Sequence, residues 1–136
     1  MDINKIVDQH KKNDCPDIVL LARSLGFSVK LVNSNKSFRS IMKNKEIFIR
    51  QDMIVSGRKF LVAYHLAEFI LRGKKTSIIY MDELYDKQLY EYAVDLIIPS
   101  NKINKKTKNI NIKTESRKYD VSPSIVLYKI ERRGRR

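Results

Sequence analysis

The sequence predicts an α+β fold, and three observations carry that expectation. Several segments place apolar residues at helical spacing, others place them in strict alternation, and the residues between them are those that stop helices and turn hairpins. Ile3, Ile6, Val7 and His10 recur at helical spacing, and the polar run Lys11–Asp14 ends this first short amphipathic helix. Asp14 or Cys15 before Pro16 marks a second start, Ile18, Leu21, Ala22 and Leu25 share one face, and Gly26 stands where a left-handed residue closes a helix. Phe27, Val29 and Leu31 then alternate with Ser28 and Lys30, the pattern of a half-buried strand. The runs Phe38–Met42 and Glu46–Arg50, joined by Lys43-Asn44-Lys45, predict a hairpin in which Asn44 tolerates positive φ.

No helix breaker interrupts Arg58–Arg72, where Phe60, Ala63, Ala67, Ile70 and Leu71 form a continuous stripe closed by Gly73. This is the expected central helix. Ser77–Tyr80 reads as a strand, and Leu84–Ile98 as a helix through Leu89, Tyr92, Ala93 and Leu96 that stops at Pro99. Residues 100–112, polar and punctuated by asparagine, read as a loop, and Val121-Ser122-Pro123 as N′, N-cap and N1 of a last helix burying Val126, Leu127 and Ile130. There is no internal repeat and no linker. The expected organisation is one domain over residues 1–136, with its core in 15–131, a basic loop at 100–113 and a basic tail at 132–136.

With 136 residues and an apolar fraction of 43%, the chain is long enough to bury a core of its own. It has no run approaching the roughly 18 apolar residues of a membrane span, and Met1-Asp2-Ile3-Asn4-Lys5 does not open a signal peptide, so no membrane association and a cytoplasmic location are expected. Cys15 is the one cysteine, which excludes a disulfide framework and a cysteine-based zinc knuckle. The glycines at 26, 57, 73 and 134 are scattered, so no phosphate-cradling loop is present and nucleotide hydrolysis is not expected. His10 and Asp14, four apart, fit a surface pair.

The net charge of +13 is uneven, with 12 Lys/Arg against 3 acids in residues 101–136. Lys102, Lys105, Lys106, Lys108, Lys113, Arg132, Arg133, Arg135 and Arg136 would attract a phosphate backbone or an acidic protein surface. The stretch Ile112–Tyr119 followed by Val121–Ile130 also has the cadence of a helix-turn-helix, offering Ser122, Ser124 and Lys129 to a DNA groove. Among the tyrosines at 80, 85, 90 and 92, which would stack on bases where exposed, Tyr85 and Tyr92 are placed as core or rim residues of the Leu84–Ile98 helix.

The central helix reads Phe60-Leu61-Val62-Ala63-Tyr64-His65-Leu66-Ala67-Glu68-Phe69-Ile70-Leu71. In that register it resembles the F-x-L-A-H-E-L-G-H-x-L-L helix of the ImmA/IrrE family of bacterial zinc metallopeptidases. Asp86-Lys87-Gln88-Leu89-Tyr90-Glu91-Tyr92-Ala93-Val94-Asp95-Leu96-Ile97-Ile98-Pro99 is similar to that family's E-x-x-A-N-x-F-A-A-x-L-L-M-P helix. Ile18–Val29 resembles its opening helix and strand, and Tyr119–Pro123 its closing "V-S" helix. The resemblance implies a small zincin-like domain, with the motif helix packed on a short twisted antiparallel or mixed sheet and a helical C-terminal part.

Carried over by position, the family's zinc ligands fall on Tyr64, Glu68 and Asp86, and its general base on His65. In zincin chemistry two histidines four apart hold the metal, which lowers the pKa of a bound water, and the glutamate takes its proton. Here a phenol replaces the first ligand, and Glu68 with Asp86 is a carboxylate pair suited to hard cations rather than zinc. His65 lies one residue, about 100° of helix rotation, from the ligand face. Tyr64 and Glu68, at i,i+4, are spaced to hydrogen-bond each other where the metal would sit.

The resemblance therefore implies a degenerate metallopeptidase domain without zinc, encoded on a phage or mobile element. Members of the family act on helix-turn-helix repressors, so the implied partner is such a regulator or a host protein. Two alternatives stand beside it: an active peptidase using an atypical metal at Glu68, Asp86 and His65, and a nucleic-acid-binding protein using residues 101–136.

Overall fold

The alternation at residues 38–50 places the centre of the sheet. In the computed structural model, which describes residues 1–14, 16–34, 36–99 and 110–132, β2 (Phe38–Lys43) and β3 (Glu46–Arg50) form an antiparallel hairpin. The link is only Asn44 and Lys45, both at positive φ (52° and 62°), because a two-residue turn of that hand matches the twist of the strands it joins. Strand β1 (Ser28–Val32) adds to β3 in parallel, and β4 (Ser77–Tyr80) adds to β2 antiparallel, giving a mixed sheet of order β1-β3-β2-β4.

Six helices complete the described α+β domain. α1 (Ile3–Lys11) and α2 (Ile18–Ser24) precede the sheet, and Gly26 takes φ 90° to turn α2 into β1. Asp17, and not Asp14 or Cys15, caps α2 by accepting from the Leu20 N–H at 3.0 Å. Cys15 itself lies outside the described residues. His10 is not a surface residue paired with Asp14: it is buried, and its Nε2 meets the Leu96 carbonyl at 2.7 Å. Burial holds its pKa below the usual histidine value, so the ring is neutral and Nε2–H is the donor.

α3 (Val55–Arg72) is the central helix, and Gly73 closes it at φ 62°. Nine consecutive residues from Phe60 to Glu68 are buried, because the helix is enclosed between the sheet, α2 and the following helix α4 (Lys87–Ile97). α4 starts three residues later than its apolar spacing predicts. Asp86 is extended (φ −65°, ψ 132°) and accepts from the Leu89 N–H, so it is the N-cap; Leu84 is left in solvent and Tyr85 packs outside the helix.

Of the expected loop at 100–112, residues 100–109 lie outside the described residues, and the stretch with helix-turn-helix cadence that follows is a helix, α5 (Ile112–Tyr119). Asn111 serves as its cap, accepting from the Thr114 N–H at 3.1 Å. Asp120, left-handed at φ 54°, stops it. α6 (Pro123–Arg132) begins at the expected proline but buries Ile125, Val126 and Lys129, while Leu127 is 42% exposed and Ile130 is half-buried against the core. Lys129 ion-pairs with Asp95 at 2.7 Å, so it is not presented to a nucleic-acid groove as a helix-turn-helix reading requires. No helix among the described residues is long and apolar enough to cross a membrane.

Candidate functional site

The motif helix carries its polar residues on a buried face, so each must find a partner inside the protein. Tyr64, His65 and Glu68 are 3%, 0% and 4% exposed. The partners come from three other segments. Ser40 is on the inward face of β2 between Phe38 and Met42, Ser77 opens β4, and Asp86 caps α4.

Glu68 anchors the site. Its Oε1 lies 2.9 Å from His65 Nδ1, its Oε2 accepts from Ser77 Oγ at 2.7 Å, and Lys74 Nζ approaches Oε2 at 3.6 Å. Burial pushes the carboxyl pKa up, but the hydrogen bonds from His65 and Ser77 and the charge of Lys74 outweigh it and hold the group below its ordinary value. An ionised Glu68 only accepts, which makes His65 Nδ1–H the donor, while Nε2 meets Ser40 Oγ at 2.7 Å. Both ring nitrogens are thereby used. The expected Tyr64–Glu68 hydrogen bond is not the one formed: Glu68 turns to His65 and Ser77, and the Tyr64 Oη accepts from the Asp86 N–H at 3.0 Å.

Tyr64 belongs to an aromatic cluster. Its ring lies 4.9 Å from Tyr85 and 6.0 Å from Phe60, and Tyr90 and Tyr128 extend the stack toward α6. Burial raises the Tyr64 phenol above its ordinary pKa, against the lowering effect of the Asp86 N–H and together with the charges of Glu68 and Asp86. The phenol stays protonated, which makes it a poor metal ligand. The Asp86 carboxylate points elsewhere: it caps Leu89 at 3.1 Å and pairs with Arg72 at 2.9 Å, and these two contacts hold its pKa low.

This donor set does not fit zinc. A neutral phenol, a histidine with both nitrogens engaged and two carboxylates bound to separate partners cannot supply the convergent anionic or neutral-imidazole ligands that zinc requires. Among the described residues, no three His, Cys, Asp or Glu side chains gather as a metal site. The connectivity Ser40–His65–Glu68 is that of a hydrolase triad, but Ser40 and His65 are 0% exposed, so the hydroxyl cannot reach a substrate carbonyl. The arrangement is a closed hydrogen-bond network.

Of the other predicted residues, Lys113 is exposed on α5 and Arg132 on α6 pairs with Glu91 at 2.6 Å. Lys102, Lys105, Lys106, Lys108, Arg133, Arg135 and Arg136 lie outside the described residues. Ser40 and Ser77 were not identified from sequence. The signal for Ser40 was a polar residue at an inward position of an alternating strand.

A pH dependence follows from Glu68. Its folded pKa is lowered, so its contribution to stability is complete above the ordinary carboxylate range and is lost as pH falls through the folded value. Urea midpoints of the natural chain should therefore fall more steeply with acid than those of Glu68→Gln, the two curves converging at low pH. Parallel curves would show that Glu68 is not preferentially ionised in the folded state.

No family model and no curated protein matches the chain.

Proposed function

We propose that the chain is a catalytically inactive, zincin-like relative of the ImmA/IrrE metallopeptidases that acts by binding a protein partner. The observation that carries this reading is the closed network that Ser40 and Ser77 make with His65 and Glu68, two of the four positions that the resemblance gives to a peptidase's base and metal ligands. A helix with buried polar residues at family spacing, set against a mixed sheet and a capped partner helix, suits an inherited frame whose chemistry has been replaced by hydrogen bonding. A helix-turn-helix repressor or a host protein is the partner class the resemblance suggests. A phage or mobile element is the matching source, and the cytoplasm of a bacterial cell the matching location.

Two experiments test it. Mixed with candidate repressors, the natural chain should retain one on a column without cleaving it, with or without added zinc or manganese. Proteolysis that disappears in Glu68→Ala would sink the proposal in favour of an active peptidase with an atypical metal. The inherited frame is tested by reversion: the variant Tyr64→His, His65→Glu, Glu68→His, Asp86→Glu should take up about one zinc per chain, measured by elemental analysis, where the natural chain takes up none. A folded revertant that stays metal-free, its fold checked by circular dichroism, would show that these positions do not converge as in a zincin.

A further inference from the structure

The sheet ends at β1, and among the described residues no strand covers that edge. The ladder to β3 uses Ser28, whose N–H donates to the Lys45 carbonyl at 3.0 Å, and Val32, whose carbonyl accepts from the Gln51 N–H at 2.9 Å. Successive residues of a strand turn their backbone groups to opposite sides, so Lys30 joins those two, while Val29 and Leu31 turn N–H and C=O away from β3. Among the described residues these outward groups have no hydrogen-bond partner.

The same two residues wall a groove. Val29 and Leu31 line a cavity of about 440 Å³ together with Val19 of α2, Ile49 of β3, and Val55 and Val62 of α3. Leu31 and Val55 are 50% and 58% exposed, so this apolar lining is open to solvent. Both α2 and α3 begin at the groove. The start of α2 is capped by Asp17, whereas α3 has no side-chain cap and no acid in its first turn. The charged side chains along the groove cancel, Asp17 and Asp120 against Arg58 and Lys59, and the electrostatic feature that is left is the positive end of the α3 dipole.

We propose that a partner protein adds an extended segment to the free edge of β1, pairing its backbone with Val29 and Leu31, placing aliphatic side chains two residues apart in the groove and setting an acidic residue at the start of α3. Main-chain bonds then supply affinity and the groove supplies specificity. Antiparallel pairing, the more stable of the two, brings the N-terminal end of the segment to α3, because Val32 at the end of β1 is tied to Gln51 just ahead of that helix. A second copy of the chain is a poor occupant: pairing Val29 with Leu31 of the copy sets Lys30 opposite Lys30, and each copy carries a charge of +13. A nucleic acid has no alternating N–H and C=O to offer the edge. The site lies at the opposite end of the sheet from β4, where Ser77 meets Glu68, so it is separate from the motif network. It rests on the proposed function only in that the chain works by binding a protein, and it does not need the metallopeptidase resemblance.

The test pans random peptides displayed on phage against the immobilised full chain and labels the most enriched peptide for fluorescence anisotropy. Enriched peptides should share aliphatic residues two apart, an acidic residue on their N-terminal side and no proline between. Leu31→Pro removes the outward N–H and no bond of the ladder to β3, a place where an edge strand tolerates proline, and should weaken binding at least about 10-fold. Val55→Glu, at an exposed position, gives α3 an acid of its own and should weaken binding about 2- to 5-fold while removing the preference for an acidic residue. In hydrogen exchange the Leu31 amide should slow when the peptide is added, and the Lys30 amide, already bonded to β3, should not change. If Leu31→Pro fails to fold by circular dichroism, Val55→Glu and the exchange of Leu31 decide. Failure to enrich such peptides would overturn the proposal, as would an enriched peptide that binds folded Leu31→Pro as tightly as the natural chain. Self-association that Leu31→Pro abolishes would overturn it in favour of a second copy. A repressor retained equally by the natural chain and Leu31→Pro would overturn this site while leaving the proposed function standing.

Discussion

Replacing His65 by leucine is expected to destabilise the protein by about 3–5 kcal/mol, because it takes a hydrogen-bond donor from the buried, ionised Glu68 carboxylate and leaves that charge under-compensated. Glu68, 4% exposed, would keep Ser77 at 2.7 Å and Lys74 at 3.6 Å but lose the donor at 2.9 Å, and Ser40, 0% exposed, would lose its hydrogen-bond partner. For a chain of this length that corresponds to a melting temperature lower by about 10–15 °C. The combined replacement Ser40→Ala, His65→Leu, Glu68→Met removes the whole polar set and should recover a large part of the loss, since an apolar set of similar volume no longer strands a buried charge. Urea denaturation of the single and triple variants measures this. If the triple variant is less stable than His65→Leu by the sum of its parts, the residues are independent and the network is not a unit.

The same network marks where sequence reasoning stops. The hairpin, α3 and the closing glycine at 73 were legible because each depends on residues close in the chain: an asparagine that tolerates positive φ between alternating runs, and an unbroken apolar stripe ending in a left-handed cap, whereas the positive φ of Lys45 was not announced. The start of α4 was misplaced because its apolar spacing continues back to Leu84, whereas capping by Asp86 decides the boundary. α5 was legible only as half of a helix-turn-helix cadence, and its Asn111 cap was not, because Asn111 looks like a turn residue until Thr114 is seen to need a cap. The motif residues were found from the register of the central helix, but their partners were not. Ser40 stands 25 residues from His65, and Ser77 nine residues from Glu68, and nothing local announces either contact. Helical spacing put Tyr64 and Glu68 within reach of each other, yet other partners won: Ser77 from β4 and the i−3 neighbour His65 for the carboxylate, and a backbone N–H for the phenol.

Asp95 carries the second large effect, and it bears on how the motif helix is held. From α4 it reaches Lys11 on α1 at 2.8 Å and Lys129 on α6 at 2.7 Å, so one carboxylate ties three helices together. The side chains are partly buried, 11% exposed at Lys129, 24% at Asp95 and 28% at Lys11, which places the pairs between exposed ones worth up to about 1 kcal/mol and buried ones whose disruption costs about 3–5. Asp95→Ala is therefore expected to cost about 2–3 kcal/mol, mostly through the Lys129 ammonium left under-compensated. Adding Lys129→Met to Asp95→Ala should recover stability, while adding Lys11→Met should not, because Lys11 can turn its charge to water. A cost below about 1 kcal/mol for Asp95→Ala, or a further loss on adding Lys129→Met, would contradict this account. The helix so anchored is the one whose first turn supplies the Asp86 N–H to Tyr64. Loosening α4 should also be read at the motif: water admitted to the Tyr64 phenol relieves the burial that is the largest cause of its raised pKa, by more than loss of the Asp86 N–H opposes it, so the phenol should become easier to ionise in Asp95→Ala, a shift that ultraviolet titration of the tyrosines can follow.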